Sequence, residues 1–378
     1  VVARHTIGAR GGGAAAASWY SSAVRILIVC DFLFKYGSQQ ARSLVGAGHD
    51  VGMLCRAHAL EFGGSTVERD ELVKTLQREG IRLFVVPGRV RSVLAVPVMF
   101  AIRREVHRWR PQIVHVHENH DPRLLALTSG YRTVFTVHDP SEHPGARAFT
   151  RTETWIFKQW FRRARRLVVH GQALADELAP IAGRTRIVVI PHGASPRSEP
   201  RPPPESPSVL LFGRLEQYKG VEVLVEAMRL VWKRRPDVRL VVAGSGPAAR
   251  LVPDDPRISL LSGYIPEDEV GPLLAAASLV VLPYTQASQS GVGVLAIAEG
   301  IPVVVSDLGA LPELAYEPSF VAEAGDPQAL ADTIARHVDD GADVRRAVLR
   351  HAQAHFSWER SAELATDLYR DLLTPNGS

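Results

Sequence analysis

VLLFGRLEQYKGVEVLVEAMRLVWK, residues 209–233, passes from four apolar residues through a polar loop bounded by Gly213 and Gly220 into a helical pattern. Val209–Phe212 is apolar on both faces, as a strand covered from both sides must be. Gly220–Lys233 carries the spacing of a helix. A strand, a short loop and a helix make half of a βαβ unit, so this stretch predicts a parallel sheet.

The rhythm continues in both directions. Downstream, Arg239–Ala243, Ile258–Leu261, Leu279–Leu282 and Pro302–Val305 read as strands, with helices at Glu267–Ala276 and Val292–Glu299. Upstream, Ala23–Cys30 is followed by a polar loop, Asp31–Ser38, a helix at Gln39–Ala47 and a second apolar run, Val51–Cys55. Arg82–Val86, Ile113–Val116, Thr133–Val137, Leu167–Val169 and Ile187–Ile190 read as further strands. Val96–Arg108, Leu124–Thr128 and Trp155–Arg163 read as helices. Two successive α/β alternations predict two doubly wound, Rossmann-like domains facing a central cleft.

The chain's 378 residues suit two cores better than one. Ser195–Pro207 (SPRSEPRPPPESP) is dense in proline, which lacks the amide hydrogen and torsional freedom that central elements require. The charge switches at the same place: residues 1–200 carry 28 Lys and Arg against 16 Asp and Glu, the remainder 16 against 24. The expected organisation is a disordered extension over 1–22, an N-terminal Rossmann-like domain over 23–195 and a Pro-rich linker over 196–207. A second Rossmann-like domain over 208–357 follows, then a helix over 358–378 that crosses back to the first domain. Leu364, Leu368 and Leu372 give that helix one apolar stripe.

Apolar residues at 46% and charged residues at 22% exclude a disordered chain. No apolar stretch reaches the roughly 20 residues of a membrane span. Two isolated cysteines, Cys30 and Cys55, make neither a disulfide framework nor a metal cage, so a reducing, cytoplasmic setting is expected. GxSxG, Walker, CxxC and GxGxxG patterns are missing, which removes hydrolase elbows, ordinary NTPases and NAD enzymes.

The loop Gly213–Gly220 places Arg214 after a strand and Lys219 before a helix. Two cations beside a helix N-terminus suit a diphosphate. Pro283–Gly293 (PYTQASQSGVG) leads into an apolar helix, with Ser290 as its N-cap and glycines that let a ligand approach the backbone. His115 and His117 point the same way on a strand, as two metal ligands would. No third ligand is placed beside them and no acidic pair ends a strand, so no metal requirement is expected. Arg147–Arg166 mixes Trp155, Phe157, Trp160 and Phe161 with arginines. Such a helix can touch an anionic membrane or an acceptor, and an apolar core face with a solvated basic side explains the same residues. No nucleic-acid partner is expected.

GRLEQYKG (213–220), VVAGSGP (241–247), SGYIPEDEV (262–270), the turn 289–292, GIPVVVSDLGALPEL (300–314) and IPHG (190–193) together resemble the retaining glycosyltransferases of family 4. GHDV (48–51), IVHVH (113–117) and TVHD (136–139) carry the likeness, more loosely, into the first half. Within the family the chain is also similar to transferases of avilamycin-type antibiotic oligosaccharide pathways. The resemblance implies the α/β fold called GT-B and a nucleotide-sugar donor, with UDP as its nucleotide, no bound cofactor, and a sugar or glycoconjugate acceptor. It implies that Arg214 and Lys219 neutralise the leaving diphosphate, that Gly213, Ser290 and the amides of Gly291 and Val292 border it, and that Tyr264 and Ile265 lie against the base. His138 would contact the sugar, and the Gly37 loop would cover the donor.

One departure stands out. The family's two glutamates, with seven residues between them, fall here on Ala287 and Leu295; Gln289 is the nearest substitute for the first, and Glu299 is out of register for the second. A non-catalytic sugar-nucleotide binder, or a GT-B epimerase or phosphorylase, is therefore the alternative.

Overall fold

The computed structural model describes residues 23–30, 33–56, 66–86, 95–117, 119–138, 150–183, 186–287 and 289–374. The extension over 1–22, Asp139 and Arg147 lie outside them.

The first half builds one parallel sheet from β1 (Arg25–Val29), β2 (Asp50–Arg56), β3 (Arg82–Val86), β4 (Ile113–His117), β5 (Arg132–Thr136), β6 (Ala164–Val169) and β7 (Ile187–Val189). Its order is β3-β2-β1-β4-β5-β6-β7. Helices α1 (Phe34–Gly46), α2 (Thr66–Arg78), α3 (Ala95–Trp109), α4 (Pro122–Leu127), α5 (Arg151–Arg163) and α6 (Gln172–Ala182) join these strands. The second half pairs β8 (Ser208–Phe212), β9 (Arg239–Gly244), β10 (Ile258–Ser262), β11 (Leu279–Leu282), β12 (Val303–Ser306) and β13 (Val321–Ala322) in the order β10-β9-β8-β11-β12-β13. Its helices are α7 (Val221–Trp232), α8 (Glu267–Ala275), α9 (Gly291–Ala298), α10 (Pro327–His337) and α11 (Ala342–His355). Strand order reverses beside β1 in one sheet and beside β8 in the other, the positions where open α/β sheets bind ligands. The two Rossmann-like domains expected from the sequence are present.

Three local expectations are corrected. The sequence reading passes over α2 and α6. In α2 only Leu76 is buried, so the apolar stripe is too thin to read; α6 contains Pro180, which reads as a breaker although it lies near the helix end. Gly37 belongs to the first turn of α1, not to a loop; it is buried against Cys30, and its amide donates to the Leu33 carbonyl at 2.9 Å. A glycine-bearing polar stretch resembles a loop, but here the glycine lets the helix lie close to the end of β1.

Helix α12 (Trp358–Leu373) completes the first domain's core. Ala362, Ala365, Leu368, Tyr369 and Leu372 pack with Ile26, Ile28, Leu44, Met53 and Val134. His49 meets Thr366 at 2.8 Å, and Arg166 pairs with Asp371 at 3.1 Å. The buried stripe is Ala365, Leu368, Tyr369 and Leu372, with Leu364 at its margin.

The proline-rich segment lies on the second domain. The Arg197 and Arg201 amides donate to the carbonyls of Ala298 and Glu299, and the Arg201 guanidinium meets the Glu299 carboxylate at 2.6 Å. The two chain crossings run side by side, bridged at Ala194 and Ser357. Trp358 fills the space that a side chain at Gly193 would need, 2.2 Å from a built Cβ, so that crossing admits only glycine.

Candidate functional site

β8 ends at Phe212, and the Gly213–Gly220 loop projects from the carboxyl edge of the sheet. Lys219 closes a short 3-10 turn over Gln217–Lys219, with its ammonium 3.8 Å from the centre of the Tyr284 ring and 5.0 Å from that of Tyr218. Aromatic faces hold a cation in place without neutralising it. Gly220 has φ 71°, and a Cβ there would stand 1.8 Å from the Pro283 carbonyl oxygen. The β8 loop and the β11 loop touch at this point through bare backbone, which fixes Lys219 beside Tyr284. Arg214 is exposed in the same loop and acts electrostatically on the buried Tyr284 hydroxyl.

Tyr284 and Ser290 are joined at 2.9 Å. Ser290 caps α9, its hydroxyl accepting from the Gly293 amide at 3.3 Å. The Gly291 and Val292 amides stand at the helix start, where no intrahelical carbonyl is available, and Val292 sits against Gly213. Arg214, Lys219 and the positive end of α9 therefore converge. Tyr264, 70% exposed, and the half-buried Ile265 follow β10 on the same edge.

Three residues named in the sequence reading have other surroundings. Gly37 does not form a covering loop, as described above. The Gln289 amide donates to the His170 carbonyl across the cleft at 3.3 Å. Glu299 is held by Arg201 and Arg197 of the linker, which takes it away from the cleft; Leu295 is exposed on α9.

On the opposite wall, the first domain gathers five histidines. His138, one residue beyond Val137, has Nε2 3.1 Å from His117 Nδ1 and Nδ1 3.2 Å from His170 Nε2. His117 Nε2 lies 2.6 Å from Gln40 Oε1, and His170 Nδ1 donates to the Ile190 carbonyl at 2.9 Å. His115 sits between the hydroxyls of Tyr369 and Thr136. The Tyr36 ring packs edge-on to His117, His138, His170 and His192. Burial disfavours the charged imidazole: it pushes His115 down to about 3 and His117, His138 and His192 well below the usual histidine range. The sequence reading anticipates His138 and sees His115 and His117; it misses His170, Tyr36 and Gln40. The position of His170 just past Val169 at the carboxyl edge is the signal that would have found it.

A second missed residue spans the cleft. Glu313, half-buried in the second domain, accepts the Gln172 amide at the start of α6 at 2.7 Å.

The chain matches two family models, "Glycosyltransferase Family 4" over residues 36–198 and "Glycosyl transferases group 1" over 206–340. It is 30% identical over 379 residues to D-inositol 3-phosphate glycosyltransferase from Corynebacterium diphtheriae, covering 88% of this chain and 87% of that one. Glycogen synthase from Mycobacterium tuberculosis is 25% identical over 387 residues, covering 90% and 91%. Among solved structures, sucrose-phosphate synthase from Thermosynechococcus elongatus superposes with a TM-score of 0.67 at 20% identity, over 92% of this chain and 99% of that one. HepE from Anabaena, in complex with UDP and glucose, does so with a TM-score of 0.67 at 18% identity, over 92% and 100%. With its two parallel sheets in the GT-B arrangement, the chain belongs to the family 4 glycosyltransferases.

Proposed function

We propose that the protein is a retaining transferase that moves a glycosyl group from a UDP-sugar to a hydroxyl of a sugar or glycoconjugate. The observation that carries this reading is the convergence of Arg214, Lys219 and the start of α9 on one edge of the second sheet, opposite His138. As the bond from the anomeric carbon to the phosphate oxygen breaks, negative charge develops on the diphosphate. Fixed cations and helix-end amides stabilise that charge, and one such donor supplies about 10²–10³-fold in rate. The acceptor oxygen bonds to the anomeric carbon on the face the phosphate leaves, and its proton passes to the departing phosphate. Tyr264 and Ile265 offer an exposed aromatic and an apolar side chain for the base. The UDP bound in the Anabaena relative supports the choice of nucleotide.

Two cations at the diphosphate replace a metal ion in this scheme, so turnover proceeds in EDTA. None of the described helices is long and apolar enough to cross a membrane. We place the reaction in the cytoplasm, where nucleotide sugars are the available donors. In α5, Ile156 and Trp160 are buried and Trp155 is 53% exposed; any membrane contact of the basic first domain is therefore weak. The narrower likeness to antibiotic oligosaccharide pathways gains no support from the relatives described, and the acceptor is assigned only by chemical class.

The missing glutamates favour one second reading, a sugar-nucleotide binder without turnover. Incubation with UDP-, GDP- and dTDP-sugars, with and without sugar acceptors, separates the two. Acceptor-dependent release of UDP with retention at the anomeric carbon is expected. Tight UDP binding with no release under any pairing leaves the binder.

A further inference from the structure

The hydrogen-bond chain Gln40–His117–His138–His170–Ile190 ends in an acceptor on both sides. The Ile190 carbonyl can only accept, so His170 carries its hydrogen on Nδ1 and leaves Nε2 as a lone pair. Gln40 presents Oε1, so His117 carries its hydrogen on Nε2 and accepts at Nδ1 from His138 Nε2. A neutral His138 then turns a second lone pair, on Nδ1, toward His170 Nε2 at 3.2 Å. In that arrangement of tautomers the two lone pairs face each other, a contact that a proton or a metal cation between them relieves. His192 adds a third imidazole: its ring centroid is 4.6 Å from that of His170, and one ligand nitrogen from each of His138, His170 and His192 falls within 4.8 Å of the others.

The dimensions fit a metal ion. Imidazole nitrogens at 2.0–2.1 Å from a tetrahedral zinc stand about 3.3 Å apart. The outer contacts also fit, because a ligating histidine ordinarily gives its other ring N–H to an acceptor that fixes its tautomer. His170 gives it to Ile190, His138 to His117, and His192 bonds the Gly193 backbone. Tyr36 walls the group on one side.

We propose that His138, His170 and His192 bind a divalent transition-metal cation of the zinc class, with a fourth position left for water or another ligand. The site lies on the cleft wall, tied through the His170 carbonyl to Gln289 of the second domain. Turnover does not need the cation. Its occupancy holds His138 as a ligand and withdraws it from the sugar, so zinc acts as an inhibitor. This last consequence rests on the role given to His138 above; binding itself does not.

The full chain, free of substrate, is titrated with ZnCl2 against a chromophoric chelator and with CoCl2 followed by visible absorption. One equivalent of zinc and an intense tetrahedral cobalt spectrum are expected. His192→Ala and His170→Gln should weaken zinc binding by at least the 10–100-fold that loss of a supporting partner costs, with the fold checked by circular dichroism. His355→Ala, which breaks the His351–His355 pair on α11 (5.0 Å between ring centroids), should leave it unchanged. A wild-type chain that binds no zinc, or a His192→Ala chain that binds it as tightly, overturns the site. Should binding hold while saturating zinc leaves turnover untouched, the site stands and the catalytic reading of His138 falls.

Discussion

The Glu313 carboxylate of one domain accepts the Gln172 amide of the other at 2.7 Å, capping a helix across the cleft. The bond crosses 141 residues of chain and opposes the burial that pushes the Glu313 carboxyl above its usual range. It serves as a clamp because the start of α6 has no side-chain cap of its own. Glu313→Ala should cost about 1 kcal/mol, as loss of a helix cap does, and should enlarge the radius of gyration in X-ray scattering. Glu313→Gln keeps an acceptor and should stay close to wild type. Unchanged scattering and melting temperature in the alanine variant would remove the clamp.

The diphosphate site makes a sharper demand. Arg214→Ala should weaken UDP binding by about 1.5–3 kcal/mol, the worth of a hydrogen bond to a charged group. Lys219→Ala should do the same and also free the Tyr284 ring on which the ammonium lies. Calorimetry decides the matter, since wild-type affinity in both variants would put the phosphates elsewhere.

For His138 the expected split is kinetic. His138→Ala should lose on the order of 10²-fold in kcat while keeping UDP affinity, as removal of one hydrogen-bond donor to the transition state does. In the free protein both its ring nitrogens are engaged, so the sugar must replace His117 or His170 as partner. Wild-type turnover in the variant would end the catalytic role.

His115 sets a pH dependence. Burial lowers it from the ordinary 6.5 to about 3, and both nitrogens bond hydroxyls, of Tyr369 and Thr136. A depressed histidine contributes stability that is full above the unfolded value and is lost as pH falls toward the folded one. Between pH 6.5 and 3 this group alone should cost about 1.4 kcal/mol of stability per pH unit. Denaturant midpoints across that window should show the slope, reduced in His115→Asn. Equal slopes in the two chains would show that the imidazole is not the origin.

The fold was legible because parallel strands buried on both faces read as apolar runs, and α12 was legible because its stripe repeats every fourth residue. Boundaries slipped where local chemistry misled, as at Gly37 in α1 and Pro180 in α6. The second domain's part of the site could be read because Gly213–Gly220 and Tyr284–Val292 are each continuous in the chain. The histidine group could not, since it draws on strand ends from His117 to His192, and only the sheet order β1-β4-β5-β6-β7 brings them together. Glu313 and Gln172 meet only when two separately folded layers dock.

The crossing helix has a consequence for how the chain is made. Leu368, Tyr369 and Leu372 are translated after the second domain's strands, yet they fill the core of the domain that precedes it. The nascent first domain leaves the ribosome with that groove unfilled over Ile26, Ile28 and Met53. Its second domain, all of whose strands lie between Ser208 and Ala322, can close while the first still waits. Folding thus runs against the direction of synthesis, and until α12 emerges the incomplete first layer exposes an apolar surface of the sort chaperones hold.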